Sequence, residues 1–278
     1  MGQGVSGGAL DALFREVDLA IAPLVDSIDV GEIGAHNRGY LAYGTDKFRN
    51  FVAVEKARYR KAVEIVTSRR TSGTVCDLGC FIPYLPIALA RLGYKVGIVD
   101  KYALYGDRMR ARIAETAAGH GIEVFDLDIV NDDMAPLGKN DVVLLMAVVE
   151  HLSGTPRMLM EKVRGIMAAD GLLVFEVPNL AEMGKRLKLL LGRSPLPDYA
   201  DYYHSHYPFT GHNREMTVAE VEYLLKAGGF AVESLSCYDC YDLSCYRTIR
   251  GKLVKVLKKA LPLANKGESI MAVARPAG

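Results

Sequence analysis

The chain has 278 residues, with 34 Lys and Arg against 33 Asp and Glu, and a formal charge of +1. So even a balance offers no field to draw in nucleic acid, and an apolar share of 50% is far too high for a disordered chain. The longest useful apolar run, 142–149, is well short of the ~20 residues a helix needs to cross a bilayer. The start shows no charged-then-apolar leader. Five cysteines are an odd number and do not suggest a secreted disulfide framework, so a cytoplasmic location is expected.

Residues 1–50 form a mixed N-terminal segment with a short helix expected over 10–25. Helical spacing of apolar residues predicts a helix over 51–69, broken by Thr71-Ser72-Gly73. Strands are then predicted at 74–78, 95–100, 122–127, 141–149 and 172–177, with helices at 83–92, 104–118 and 156–168 between them. Near-continuous apolar strands alternating with helices imply a mostly parallel sheet covered on both faces. The stretch 180–214 interrupts this pattern. It is rich in Tyr, His and Pro, and is expected to be an inserted cap. Thr217 and Glu220 form a capping box for a helix ending at Gly228-Gly229. A strand at 230–236, a basic helix at 246–261 and a strand at 269–274 complete the chain.

The most informative stretch is Val75-Cys76-Asp77-Leu78-Gly79-Cys80-Phe81-Ile82-Pro83. A strand enters a glycine turn and then a helix, a geometry expected to present backbone N–H groups to a ligand. The next strand ends in Asp100, whose carboxylate suits two ribose hydroxyls. Asp126-Leu127-Asp128 follows the third strand. All three acidic sites fall at carboxyl ends of parallel strands, where open α/β sheets bind ligands. A dinucleotide fingerprint would need further glycines where Phe81 and Pro83 stand, so a ribose ligand without phosphates fits better.

Residues 74–274 resemble class I S-adenosylmethionine-dependent methyltransferases, in the group that includes ubiquinone-type enzymes and those of sugar and glycan pathways. The resemblance rests on Asp77 and Gly79 of the first motif, Asp100, Asp128, the strand Asp141–Val149 running into Glu150-His151, the Pro178-Asn179 strand end, and the later His212-Asn213-Arg214-Glu215-Met216-Thr217 segment. It implies an α/β Rossmann-like fold of seven strands, spanning 51–278 with the cap at 180–214. It also implies S-adenosylmethionine as cofactor. Asp77, Gly79, Cys80 and Phe81 would then sit by its methionine part, Asp100 on the ribose, Lys101 and Tyr102 beside the adenine, Asp128 and Ile129 on its far edge, and Met146 and Ala147 on the sulfonium side.

Methyl transfer from a sulfonium needs alignment above all, and a hydroxyl acceptor must also lose its proton. His151, after the fourth strand, and His206 and His212 in or beside the cap are the candidate bases. O-methylation of a small molecule, sugar or lipid-linked glycan is expected. A decayed cofactor-binding module and a nicotinamide-dependent oxidoreductase are the alternatives. No metal site is assigned, because Ala147 replaces the first glutamate of the metal cluster found in some ubiquinone-pathway relatives. The Tyr199, Tyr202, Tyr203 and Tyr207 group could stack on an acceptor or pack the cap. Basic amphipathic stretches at 185–193 and 247–259 could touch an anionic membrane surface or pack on the sheet.

Overall fold

The computed structural model describes residues 6–36, 51–196, 198–205, 209, 211–240 and 249–278. Strands β1 (Thr74–Leu78), β2 (Lys95–Asp100), β3 (Glu123–Asp126), β4 (Asn140–Met146), β5 (Met167–Pro178), β6 (Phe230–Tyr238) and β7 (Ser269–Pro276) form one sheet in the order β3-β2-β1-β4-β5-β7-β6. The first five run parallel, and β7 inserts antiparallel between β5 and β6. The chain winds outward from β1 to β3, then returns to the other side of β1 as β4. That reversal opens a crevice at the carboxyl ends of β1 and β4, where ligands bind in such sheets.

The reason β4 is central is its composition. Val142, Val143, Leu144 and Leu145 are all fully buried, and consecutive apolar residues can be buried only when both faces are covered. Val142 and Leu144 face the layer made by α1 (Gly7–Asp26), α3 (Phe51–Arg69), α4 (Tyr84–Arg91) and α5 (Asp107–Ala118). Val143 and Leu145 face α6 (Arg157–Ile166) and α9 (Val218–Ala227). The N-terminal helix α1 projects Leu10, Phe14, Val17 and Ile21 into the first of these layers at helical spacing. It is tied to α4 by Tyr84 Oη donating to Asp18 at 2.8 Å and by an Arg91–Glu16 ion pair. A short α2 (Val30–His36) follows it.

Several boundaries differ from the sequence expectation for identifiable reasons. The apolar run 141–149 stops being strand at Met146, because Ala147 turns to φ +54° and its N–H donates to the Glu176 carbonyl. Val148 and Val149 stay buried, but in a turn rather than in the ladder. The helix expected from Leu104 starts at Asp107. Gly106 at φ +86° separates it from a 3-10 turn over Tyr102–Tyr105. β5 begins at Met167, because α6 ends at Ile166. Within the expected cap, α7 (Met183–Leu190) and α8 (Tyr199–His204) form short helices. The basic α10 covers Ile249–Ala260. No helix among the described residues is long and apolar enough to cross a membrane.

At the start of α9, the Thr217 side chain accepts from the Glu220 N–H, and Glu220 Oε2 accepts from the Thr217 N–H at 2.8 Å. Thr217→Ala removes half of this box and should cost about 1 kcal/mol. Urea unfolding should show a lower midpoint with an unchanged slope.

Candidate active site

Glycine is required at the tip of the β1 turn on two counts. Gly79 sits at φ +77°, and a Cβ there would lie 2.5 Å from Val148 Cγ2. The turns after β1 and β4 therefore touch, and their contact forms the floor of the crevice. The N–H groups of Gly79 and Cys80 do not point to a ligand as expected. Both donate to the Val99 carbonyl, at 2.8 and 3.1 Å. The turn is sealed onto β2, so it provides no phosphate cradle from these two groups, in keeping with the missing second and third glycines.

The acidic groups around the turn are unequal. Asp77 is buried, and burial pushes its carboxyl up to about 7, against a hydrogen bond with Cys80 that lowers it. Asp100 ends β2. Burial pushes it up to about 6, although the Lys101 N–H and the Tyr105 hydroxyl each donate to one of its oxygens, at 2.7 and 3.0 Å. Each oxygen retains acceptor capacity for a ligand hydroxyl.

Two expected contacts need correction. Tyr102 is only 1% exposed, and its hydroxyl donates to the Cys80 carbonyl at 2.8 Å, so it props the glycine turn and does not flank an adenine. Asp128 accepts from the Val130 and Asn131 N–H groups, the Asn131 side chain and Lys101. Burial would raise this carboxyl, but those donors hold it below the ordinary carboxylate range. Its lone pairs are taken, and the half-buried Ile129 beside it packs against the hydrophobic core. Phe81 packs against Tyr105, with ring centroids 4.2 Å apart and the rings tilted by 46°. Asp126 accepts the Tyr102 N–H and pairs with Arg110 at 2.9 Å. Tyr105 did not stand out in the sequence, and Asp126 did so only within the Asp126-Leu127-Asp128 stretch.

On the β4 side, Met146 and Ala147 are half-buried at the strand end. The 3-10 turn after them buries Glu150 completely and leaves the His151 side chain 42% exposed. The cap returns directly onto this turn. Asn213 N–H donates to the Glu150 carbonyl at 2.7 Å, and the Asn213 side chain donates to the His151 carbonyl at 3.0 Å. This brings His212 edge-on to His151, with ring centroids 4.8 Å apart. Glu215 Oε1 lies 2.9 Å from His212 Nδ1, and Glu215 also pairs with Lys185. Burial would raise the Glu215 carboxyl, but the His212 hydrogen bond and the Lys185 ammonium hold it below its ordinary value. The i,i+3 spacing of His212 and Glu215 was the available signal for this pair. Among the described residues, Glu150, His151 and His212 are the one group of three metal-ligating side chains brought together, each offering an atom within 4.8 Å of the others. His204 is exposed on α8, and His206 lies outside the described residues.

The sequence matches the family model described as a methyltransferase domain over residues 49–235. The chain belongs to the methyltransferase family. No curated protein matches it in sequence. Its fold is similar to that of an S-adenosylmethionine-dependent methyltransferase from Clostridium acetobutylicum (TM-score 0.55, 14% identity, covering 83% of this chain and 96% of the other). It is also similar to magnesium protoporphyrin IX methyltransferase from Synechocystis with bound S-adenosylhomocysteine (0.54, 15%, 83% and 87%) and to CcbJ from Streptomyces caelestis (0.53, 15%, 81% and 89%).

The cofactor of this methyltransferase is S-adenosylmethionine, and the residues present suit it. A phosphate-free ligand matches a turn whose first N–H groups are already used. A ligand bearing an ammonium, a sulfonium and two ribose hydroxyls matches two carboxyls, the buried Asp77 and the half-buried Asp100, whose charged forms such cations and donors would favour. When bound, the cofactor supplies an electrophilic methyl group. The protein's part is to hold it and align the acceptor.

Glu150 gives a pH signature. Burial, reinforced by the neighbouring Glu176 charge, pushes its carboxyl up from 4.5 to about 8. A raised carboxyl favours folding while protonated, so its contribution is complete below about 4.5 and is lost as pH rises through about 8. The melting temperature of the ligand-free protein should fall across that window. Glu150→Gln should flatten the decline, and an equally steep decline in the variant would assign it to other groups.

Proposed function

We propose that this methyltransferase moves a methyl group onto a hydroxyl of a small molecule, a sugar or a lipid-linked glycan. The observation that carries this reading is the His212–Glu215 pair beside His151, at the carboxyl end of β4 and across the floor of the crevice from Gly79. A charged Glu215 accepts a hydrogen bond from the Nδ1–H of His212, which leaves Nε2 free of a proton to receive the one the hydroxyl loses. This is the orienting role a carboxylate plays in other acid–base histidines. For His151, the Glu150 Oε1 stands 4.0 Å from Nε2, beyond hydrogen-bond distance. His212 is thus a base with an orienting carboxylate of its own, and His151 lies against the same acceptor space.

The cap, residues 180–214, is assigned to acceptor binding. Tyr199, Tyr202 and Tyr203 on α8 are 53–75% exposed, which supports a role in stacking on a sugar ring over a role in packing the cap. The reading places the enzyme in the cytoplasm, in contact with a membrane at most peripherally.

The acceptor can be sought with methyl-labelled cofactor against a panel of sugars and glycolipids, reading which atom gains the label. His212→Ala should lower turnover by ~10²–10⁴-fold, the usual range for a lost general base. Glu215→Gln should lower it less, and S-adenosylhomocysteine affinity should be unchanged in both. Asp100→Ala should do the reverse, weakening S-adenosylhomocysteine binding by about 1–3 kcal/mol in calorimetry. Label on nitrogen, or a fully active His212→Ala, would refute the hydroxyl reading.

A further inference from the structure

The helices α7 and α10 pack against each other at one side of the molecule. Together they carry eight Lys and Arg and no Asp or Glu. Their apolar residues do not all turn inward. On α7 and the turn after it, Leu189, Leu190 and Leu191 are 58%, 82% and 69% exposed. On α10, Val256 is 60% exposed while Lys258 is buried in ion pairs with Asp239 and Glu268. A helix packed on the sheet by its apolar stripe would show the opposite pattern.

Leu189 and Leu190 are continuous with two further exposed leucines that follow α10. Met183, Leu187, Leu189 and Leu190 of α7 line one cavity of about 480 Å³ with Leu261 and Leu263, which follow α10. The basic residues separate into two groups. Lys185 pairs with Glu215, Arg186 donates to the carbonyls of Ala181, Ala264 and Asn265, and Lys258 is paired as above. Lys252, Lys255 and Lys259 are exposed and form no ion pair among the described residues. Lys252 and Lys259 lie one turn either side of Val256, so lysines and valine share one exposed stripe. Arg193, just past the three leucines, is exposed too.

We propose that this face docks on an anionic lipid bilayer, with Leu189, Leu190 and Leu191 entering the acyl boundary and Lys252, Lys255, Lys259 and Arg193 lying on the headgroups. Charge complementarity selects the partner. A net charge of +1 for the whole chain makes this concentration local, and juxtaposed leucines and lysines match the two-part attraction of an interfacial helix. Nucleic acid would use the charges but would have no place for three protruding leucines. The surface also connects to the acceptor side of the enzyme, because Lys185 of α7 pairs with the Glu215 that holds His212. Docking does not rest on which acceptor is methylated, but it deepens the lipid-linked option by bringing that side of the crevice to the bilayer.

The test is flotation of the full chain with vesicles of phosphatidylcholine alone and of phosphatidylcholine mixed with phosphatidylglycerol. Binding should require the anionic lipid and should weaken strongly as salt rises to ~0.5 M, where charges are screened over a few ångströms. Two variants divide the attraction: Leu189→Ser with Leu190→Ser and Leu191→Ser, and Lys252→Glu with Lys255→Glu and Lys259→Glu. Each should lower vesicle affinity by ~10-fold or more, while S-adenosylhomocysteine binding, which reports folding and the methyltransferase site, stays at the level of the parent. Failure to float with anionic vesicles overturns the proposal. So does equal binding to both lipids, or binding that the leucine variant leaves intact, which would point to a general polyanion surface. Loss of methyl transfer with vesicle binding retained would count against the proposed function alone.

Discussion

The site depends on the contact between two turns. The turn after β1 can approach the turn after β4 only because Gly79 has no Cβ, and Val148 fills the space that one would take. Val148 reaches that position because Ala147 adopts a left-handed conformation, held by its N–H to the Glu176 carbonyl of β5. A positive φ at a residue with a side chain is strained and persists only where surrounding structure over-determines it. Here the constraint comes from both sides: a β5 carbonyl behind and a buried valine in front. The same twist sends Glu150 into the interior and His151 outward, so one backbone choice separates a buried acid from an accessible imidazole.

Beneath this turn lies a concentration of buried charge. Arg58 of α3 pairs with Glu176 at 3.1 Å and with Glu55, and the Glu176 charge acts on Glu150. Burial pushes Glu55 up to about 6 and Glu150 to about 8, and among the described residues neither oxygen of Glu150 has a hydrogen-bond partner. One guanidinium faces three carboxyls in a region water does not reach. Such an arrangement costs stability compared with apolar packing of the same volume. Its location beneath the turn that carries His151, at the carboxyl ends of β4 and β5, accords with sites where polar groups are kept for function at the expense of stability.

Much of the architecture was legible in the sequence because the signals were local. The run Val142–Leu145 could be buried only on both faces, so β4 had to be central. The order of acidic strand ends at Asp77, Asp100 and Asp126-Leu127-Asp128 placed the crevice. Thr217 with Glu220 marked a helix start that the structure confirms in both of its hydrogen bonds. The individual roles were less legible. Asp128 and Tyr102 have the right residue types in the right places, yet one has its lone pairs filled by the following turn and the other is buried behind it. Local sequence shows that a carboxylate is present, but not which donors reach it first.

The sequence by itself determined the fold class and the order of the acidic strand ends, because hydrophobic periodicity and glycine placement act over a few residues. Only the tertiary structure decided that His212, rather than a histidine chosen by type, has a charged carboxylate at Nδ1 and stands against His151. These two histidines are separated by the whole of α6, β5 and the cap, and their meeting depends on the Asn213 hydrogen bonds to the Glu150 and His151 carbonyls. The exposure of Leu189–Leu191 and Val256 was likewise settled by packing. An amphipathic pattern has the same period whether its apolar face is covered by a sheet or left open to another surface, and only the neighbouring elements distinguish the two.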